Sequence, residues 1–464
     1  MTALQSKKIL AFSLGILFSA LSALENIPIA TGELLPPDSQ SPSPSTVAKP
    51  AGIDSVQMEH ALEQGDIAGG IQEIEEGWKR QFEDYYQGKL SNDTLNLDQI
   101  AKVLAKNYRR TGQKSALIYT VPTSNHLELV LITPEGPPVH RRVTEANRTA
   151  LIAMAKTLRN EVTNTGGSGT TYLPAAQALY HWIISPLEPD LEAHHINALI
   201  FCLGNGLRSL PLAALHDGKQ FLVEKYGLSL IPAFNLMDRR FSRHKDVQVL
   251  AMGASEFKDK SALLPGVPLE LSNIVGSPLK GERWLNQDFT LANLKARREI
   301  YPFEIIHLAT HAQFSPGNVS QSYLQFWDDR LSLNHFKELG LRSPKVQLLV
   351  LSACQTALGD VKAELGFAGI AVQSGSSAAL ASLWAVSDTG TLKLMSEFYR
   401  QLPSAPTKVE ALRQTQIAML RGTLTPADAS SDPSRAPSLP ADAKDVDYRH
   451  PYYWSAFTLV GNPW

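Results

Sequence analysis

The sequence predicts an α/β protein built on a mostly parallel sheet with helices on both faces. Three observations predict it. Short, near-continuous apolar runs recur from residue 116 to residue 460. Stretches with helical periodicity separate them, the pattern of strands buried on both faces. Polar, chemistry-bearing residues stand just past two of the runs, and such sheets bind ligands outside the carboxyl ends of their strands.

The chain opens on a targeting pattern. Lys7 and Lys8 precede an apolar run over residues 9–24, and Ala20, Ser22 and Ala23 supply small residues for cleavage. A basic start, an apolar core and small residues describe a signal peptide. A run this short is below the roughly 20 residues of a spanning helix, so an anchor through residues 9–24 is the competing reading. Either way the protein is expected to be exported, to periplasm or extracellular space, or held at a membrane by this segment alone. Residues 31–55 follow, with Pro36, Pro37, Pro42, Pro44 and Pro50 among serines and without apolar periodicity. Such a linker cannot bury a core and is expected to be disordered.

Residues 56–114 read as helical. Ile67, Ile71, Ile74, Trp78, Phe82 and Tyr85 recur at three- and four-residue spacings and make one apolar stripe. Gly65-Asp66 before it reads as a helix stop and then a cap. This hairpin resembles a single helical repeat. A solenoid needs about three, so it is read as a packing element for the next domain. A further helix spans 97–111.

Candidate strands then occupy 116–121, 127–133, 198–203, 247–252, 305–308, 347–351, 378–383 and 456–460. Candidate helices occupy 145–164, 175–184, 269–275, 290–298, 366–374, 389–402 and 409–421. Residues 423–446, with four prolines among Asp and Ser, read as a disordered surface insertion.

Composition excludes several functions. With 43 basic and 45 acidic residues the formal charge is −2, without the basic excess of a nucleic-acid binder. Cys202 and Cys354 are the two cysteines of the 464 residues. That excludes a disulfide framework and any Cys/His cluster with zinc spacing, so neither metal nor cofactor is expected. Gly204-Asn205-Gly206 follows a strand, but Ser209 stands where a dinucleotide site needs its third glycine, and Leu210-Pro211 opens no helix.

Two loops carry the chemistry. One follows the strand at 305–308 and reads Ala309-Thr310-His311-Ala312. The other follows the strand at 347–351 and reads Ser352-Ala353-Cys354-Gln355-Thr356. A thiol needs a base to become a thiolate, and a neutral imidazole in reach supplies one and then protonates the leaving amine. His307 and Cys202 lie inside strands. The first is expected to satisfy a buried hydrogen bond and the second to be structural.

These motifs resemble the CHAT domain, a relative of caspases and separases. The resemblance rests on His307-Leu308-Ala309-Thr310-His311 and on Leu349-Val350-Leu351-Ser352-Ala353-Cys354-Gln355-Thr356. It extends to Leu210-Pro211-Leu212-Ala213-Ala214-Leu215, to Leu264-Pro265-Gly266-Val267 with Glu270, to Ala381-Ser382-Leu383-Trp384-Ala385-Val386-Ser387-Asp388 and to the terminal His450-Pro451-Tyr452-Tyr453-Trp454. His311 and Cys354 are 43 residues apart, near the roughly 50 of caspases.

The resemblance covers about residues 115–464 and implies a doubled caspase-like fold. A degenerate half would span 115–245 and a half bearing the dyad 246–464. It implies a cysteine endopeptidase for protein or peptide substrates, with Cys354 as nucleophile, His311 as base and acid, and a regulatory protein partner in reach. The backbone N–H groups of Cys354 and Ala312 would hold the oxyanion. Many relatives have glycine after the histidine. Ala312 keeps the N–H but adds a Cβ. The alternative is a catalytically silent CHAT module that binds partners. Asp388, just past a strand, has two readings: an acid that selects a basic substrate residue, or the cap of the helix beginning near Thr389.

Overall fold

The computed structural model describes residues 52–165, 169–242, 246–276, 279–317, 319–356, 360–424 and 446–464, with backbone alone for 353–356. The targeting segment, the linker as far as residue 51 and residues 425–445 of the insertion lie outside the described residues.

The described strands are β1 (Ser115–Pro122), β2 (Leu127–Ile132), β3 (Val139–Val143), β4 (Ala198–Leu203), β5 (Gly227–Ile231), β6 (Gln248–Gly253), β7 (Lys280–Leu285), β8 (Ile305–Phe314), β9 (Tyr323–Gln325), β10 (Arg330–Ser332), β11 (Leu348–Thr356), β12 (Ala378–Ser382) and β13 (Phe457–Gly461). They join in one sheet of order β10-β9-β8-β11-β12-β13-β5-β4-β1-β2-β3, with β6 beside β8 and β7 beyond it. The sheet is mixed and mostly parallel. β7, β6, β8, β11 and β12 form one parallel block. β13, β5, β4 and β1 form a second. β13 runs antiparallel to β12, so the two blocks point in opposite directions.

The described helices are α1 (Ser55–Glu63), α2 (Ile67–Tyr86), α3 (Leu97–Thr111), α4 (Arg148–Thr163), α5 (Leu173–Ile183), α6 (Glu188–Ala193), α7 (Leu222–Lys225), α8 (Val267–Ile274), α9 (Leu291–Ile300), α10 (Val361–Ala368), α11 (Ile370–Ser374), α12 (Asp388–Gln401), α13 (Lys408–Arg421) and α14 (Pro451–Trp454). Their capping is largely local chemistry. Asp54 accepts the N–H of Gln57, and Asp66 accepts that of Gly69 at 2.9 Å. Gly65 between them takes φ +76°, the left-handed region glycine enters without strain.

α2 is a packing element of the sheet. Ile71, Ile74, Trp78 and Phe82 of its stripe are buried, each worth about 2 kcal/mol of transfer free energy. Trp78 stacks on Tyr119 of β1, ring centroids 6.1 Å apart. The buried Glu75 carboxylate accepts Tyr119 Oη at 2.7 Å and the N–H groups of Phe234 and Asn235 at 2.8 Å each. A buried carboxylate without such donors would cost several kcal/mol. At the far end of α2, Tyr86 Oη donates to the carbonyl of Gly366 at 3.1 Å. Helix α2 therefore touches α10, the helix that follows the Cys354 strand.

Candidate active site

β8 forks the sheet. Its first five residues pair in parallel with β6, from Ile305↔Val249 to Ala309↔Gly253. Its last residues turn to β9, with Ala312↔Leu324 and Gln313↔Tyr323. On the other edge β11 follows β8 throughout, with a bulge between Ser352 and Cys354. The sequence places His311 and Cys354 in loops beyond shorter strands. Instead both strands continue past those ends, because each extension has the other as partner: Cys354 pairs with Ala312 and Gln355 with Gln313. His311 sits where the register slips, and a bulge re-aims a side chain.

The His311 ring is held from two sides. Its Nε2 stands 2.7 Å from the carbonyl of Ala262. Only a protonated Nε2 can donate there, so the lone pair of the neutral ring falls to Nδ1. Phe257 covers the ring at a centroid distance of 5.0 Å. Beside it opens a cavity of about 390 Å³ lined by His311, Ala312, Ala262, Leu264, Tyr323 and Arg330 among others. Thr310, one residue earlier, is buried and donates Oγ1 to the carbonyl of Gln325 at 2.6 Å, tying β8 to the end of β9.

The remaining sequence-derived residues fall as follows. Ala312 is buried in the ladder between Leu324 and Cys354, with a strand on each side of its backbone. The Cys354 backbone lies beside it, and the Cys354 side chain lies outside the described atoms. His307 is fully buried, with Nδ1 3.1 Å from Tyr399 Oη. Its Nε2 is 3.0 Å from Glu270 Oε1, an ion-pair distance without hydrogen-bond alignment. Cys202 is fully buried in β4, and burial pushes its thiol well above the ordinary range. A thiol so shielded forms no thiolate near neutral pH.

Asp388 does not take the cap position expected for it. Ser387 is the cap of α12, its Oγ accepting the Gly390 N–H at 3.1 Å. Asp388 is the first helical residue, and its carboxylate accepts the N–H of Gly266, the cap residue of α8. It is absent from the described lining of the cavity, where Ala385 and Val386 stand instead. Burial raises its pKa, against the pull of the Gly266 N–H and of nearby His311.

Sequence reasoning missed Ala262, Phe257, Tyr323, Gln325 and Arg330. Ala262 acts through its carbonyl, which no side chain advertises. The other four lie in a loop or in three-residue strands, too short for a periodicity to show.

No curated protein matches the chain. Among solved structures it is similar to separase in the Saccharomyces cerevisiae separase–securin complex, at 10% identity over 86% of this chain and a TM-score of 0.47. It spans about a third of that separase chain, 34%. It is also similar to RgpB in the complex of Porphyromonas gingivalis pro- and mature domains, at 10% identity over 68% of this chain and 77% of that one, with a TM-score of 0.37. The CHAT domain matches residues 173–462, which include β4 to β13, His311 and Cys354. By that match over more than half its length, this chain belongs to the CHAT domain family.

Proposed function

We propose that the chain is a cysteine endopeptidase acting on protein or peptide substrates, with Cys354 as nucleophile and His311 as its base. One observation carries the reading. His311 stands at the fork of β8, its Nε2 engaged by the Ala262 carbonyl and its ring on a cavity, next to the strand that bears Cys354. That engagement leaves Nδ1 to take the thiol proton. The thiolate then adds to the scissile carbonyl and forms the acyl-enzyme, and the imidazolium returns its proton to the leaving amine. The N–H groups of Cys354 and Ala312 serve the oxyanion. Their residues are paired in the β8–β11 ladder.

The test is cleavage of a diverse peptide library by wild type and by the Cys354→Ala and His311→Ala variants. Cleavage by wild type alone is expected, with a loss of 10³-fold or more in each variant. If all three are equally silent, and Cys354 alkylates no faster than a free thiol, the chain is a CHAT binding module and not a peptidase.

A further inference from the structure

The cavity beside His311 holds one permanent charge among its described lining residues, and it is positive. Arg330 supplies it. β10 pairs with β9 so that Arg330 faces Gln325 and Leu331 faces Leu324. Side chains alternate along a strand, so Tyr323, Gln325 and Arg330 share one face while the buried Leu324 and Leu331 share the other. Gln313 pairs with Tyr323, and His311 is two residues before Gln313 on the same strand. Imidazole and guanidinium both line the one cavity.

Arg330 is pre-oriented. Its guanidinium lies over the Tyr323 ring, 4.6 Å from the centroid. Its Nε donates to Gln325 Oε1 at 2.7 Å. The Gln325 amide nitrogen donates to the carbonyl of Phe326 at 2.7 Å, which turns Oε1 toward the arginine. What stays available is the outer edge of the fork. Nη2 there meets Asp259 Oδ2 at 3.1 Å, both residues half-exposed. Asp259 sits on the loop that also presents the Ala262 carbonyl to His311. An arginine stacked and locked at Nε presents a planar pair of donors matched to a carboxylate, with little side-chain freedom left to lose.

We infer that the cavity selects a substrate with an acidic side chain next to the scissile bond, its carboxylate received by Arg330 in place of Asp259. The inference rests on the peptidase reading for the word scissile, and it reverses the preference that Asp388 suggests in the sequence. Asp388 is spent on Gly266 and does not line the cavity among the described residues, whereas Arg330 does.

The experiment uses the full chain in two arms. In the first, a peptide library reports which residues flank the cuts. Wild type is expected to favour Asp and Glu over Asn and Gln by about tenfold at one position. Arg330→Gln should erase that preference and Arg330→Glu should shift it toward Lys and Arg. In the second, fluorescence polarisation follows an Asp-bearing peptide and its Asn counterpart on the Cys354→Ala variant, which binds without cutting. The acidic peptide should bind tighter, and tighter still once Asp259→Asn removes the internal competitor. Cleavage whose preference is unmoved by both Arg330 substitutions overturns this inference and leaves the peptidase standing. Charge-dependent binding without any cleavage keeps the acidic site and overturns the peptidase. Indifference to charge in both arms overturns the site.

Discussion

Asp388 carries its charge into the joint between two helices. Its carboxylate accepts the N–H of Gly266, where α8 starts, and it is itself the first residue of α12. A carboxylate near a helix N-terminus gains from the macrodipole, and here it meets two such termini. The Asp388→Ala variant should therefore lose about 2 kcal/mol of stability, the worth of a partly buried charged acceptor. Urea unfolding measures that loss. On the same protein the order of preferred residues at the cut should not change. A variant as stable as wild type but altered in cleavage preference would return Asp388 to the substrate pocket. The difference between the residue types near the site is one of visibility. His311 and Cys354 announce themselves by chemistry and by their place after apolar runs. Arg330 acquires meaning only when β9 and β10 pair, and Ala262 only through a main-chain carbonyl.

Among the elements, the legible strands were the apolar ones. β4, β8, β11 and β12 are buried cores of the two parallel blocks, and their runs of Leu, Ile, Val and Ala stand out from the loops. β3 (Val139–Val143) and β7 (Lys280–Leu285) did not stand out, because they lie at margins of the sheet and carry His140, Arg141, Arg142, Lys280, Glu282 and Arg283. Charged side chains there blunt an exposed edge and also mask the strand. α2 was legible as a stripe, but its attachment was not. That attachment runs through Glu75, whose pKa burial raises against the pull of its backbone and Tyr119 donors. The sign of the consequence follows. A carboxyl titrating higher in the folded state binds more protons there than in the unfolded chain, so its contribution is full below the ordinary carboxylate pKa. It declines as pH rises through the raised value. Thermal unfolding of wild type and Glu75→Gln should thus show a wild-type advantage that is larger at pH 4 than at pH 8. An advantage that grows with pH would mean that Glu75 is held ionised by its three donors.

At the scale of the molecule, two blocks of opposite direction share one sheet, and β13 is their seam. A seam of backbone pairing alone would let each block open by itself. Glu364 argues that they do not. It lies on α10, in the first turns after the Cys354 strand, and it is buried. Its two oxygens accept the Gly206 N–H at 2.9 Å and Ser209 Oγ at 2.6 Å, both on the loop after β4 of the other block. Arg159 of α4 donates to the same Ser209 Oγ at 3.1 Å, and the fully buried Arg208 lies between Asn205 and Gln81 of α2. Removing one member of such a buried network strands the others without water, a loss of about 3–5 kcal/mol. Glu364→Ala should accordingly lower the stability of the whole described fold by that amount, and not of one block. The measurement is denaturant unfolding of residues 50–464 followed by far-ultraviolet circular dichroism and by tryptophan fluorescence. Of the seven tryptophans, Trp78 on α2 packs against β1 of one block, and Trp284 lies in β7 of the other. Coincident curves, shifted together by the substitution, fit one cooperative unit. Two separated transitions, with only one displaced, would mean that the blocks fold as independent modules and that the Glu364 clasp is incidental to their union.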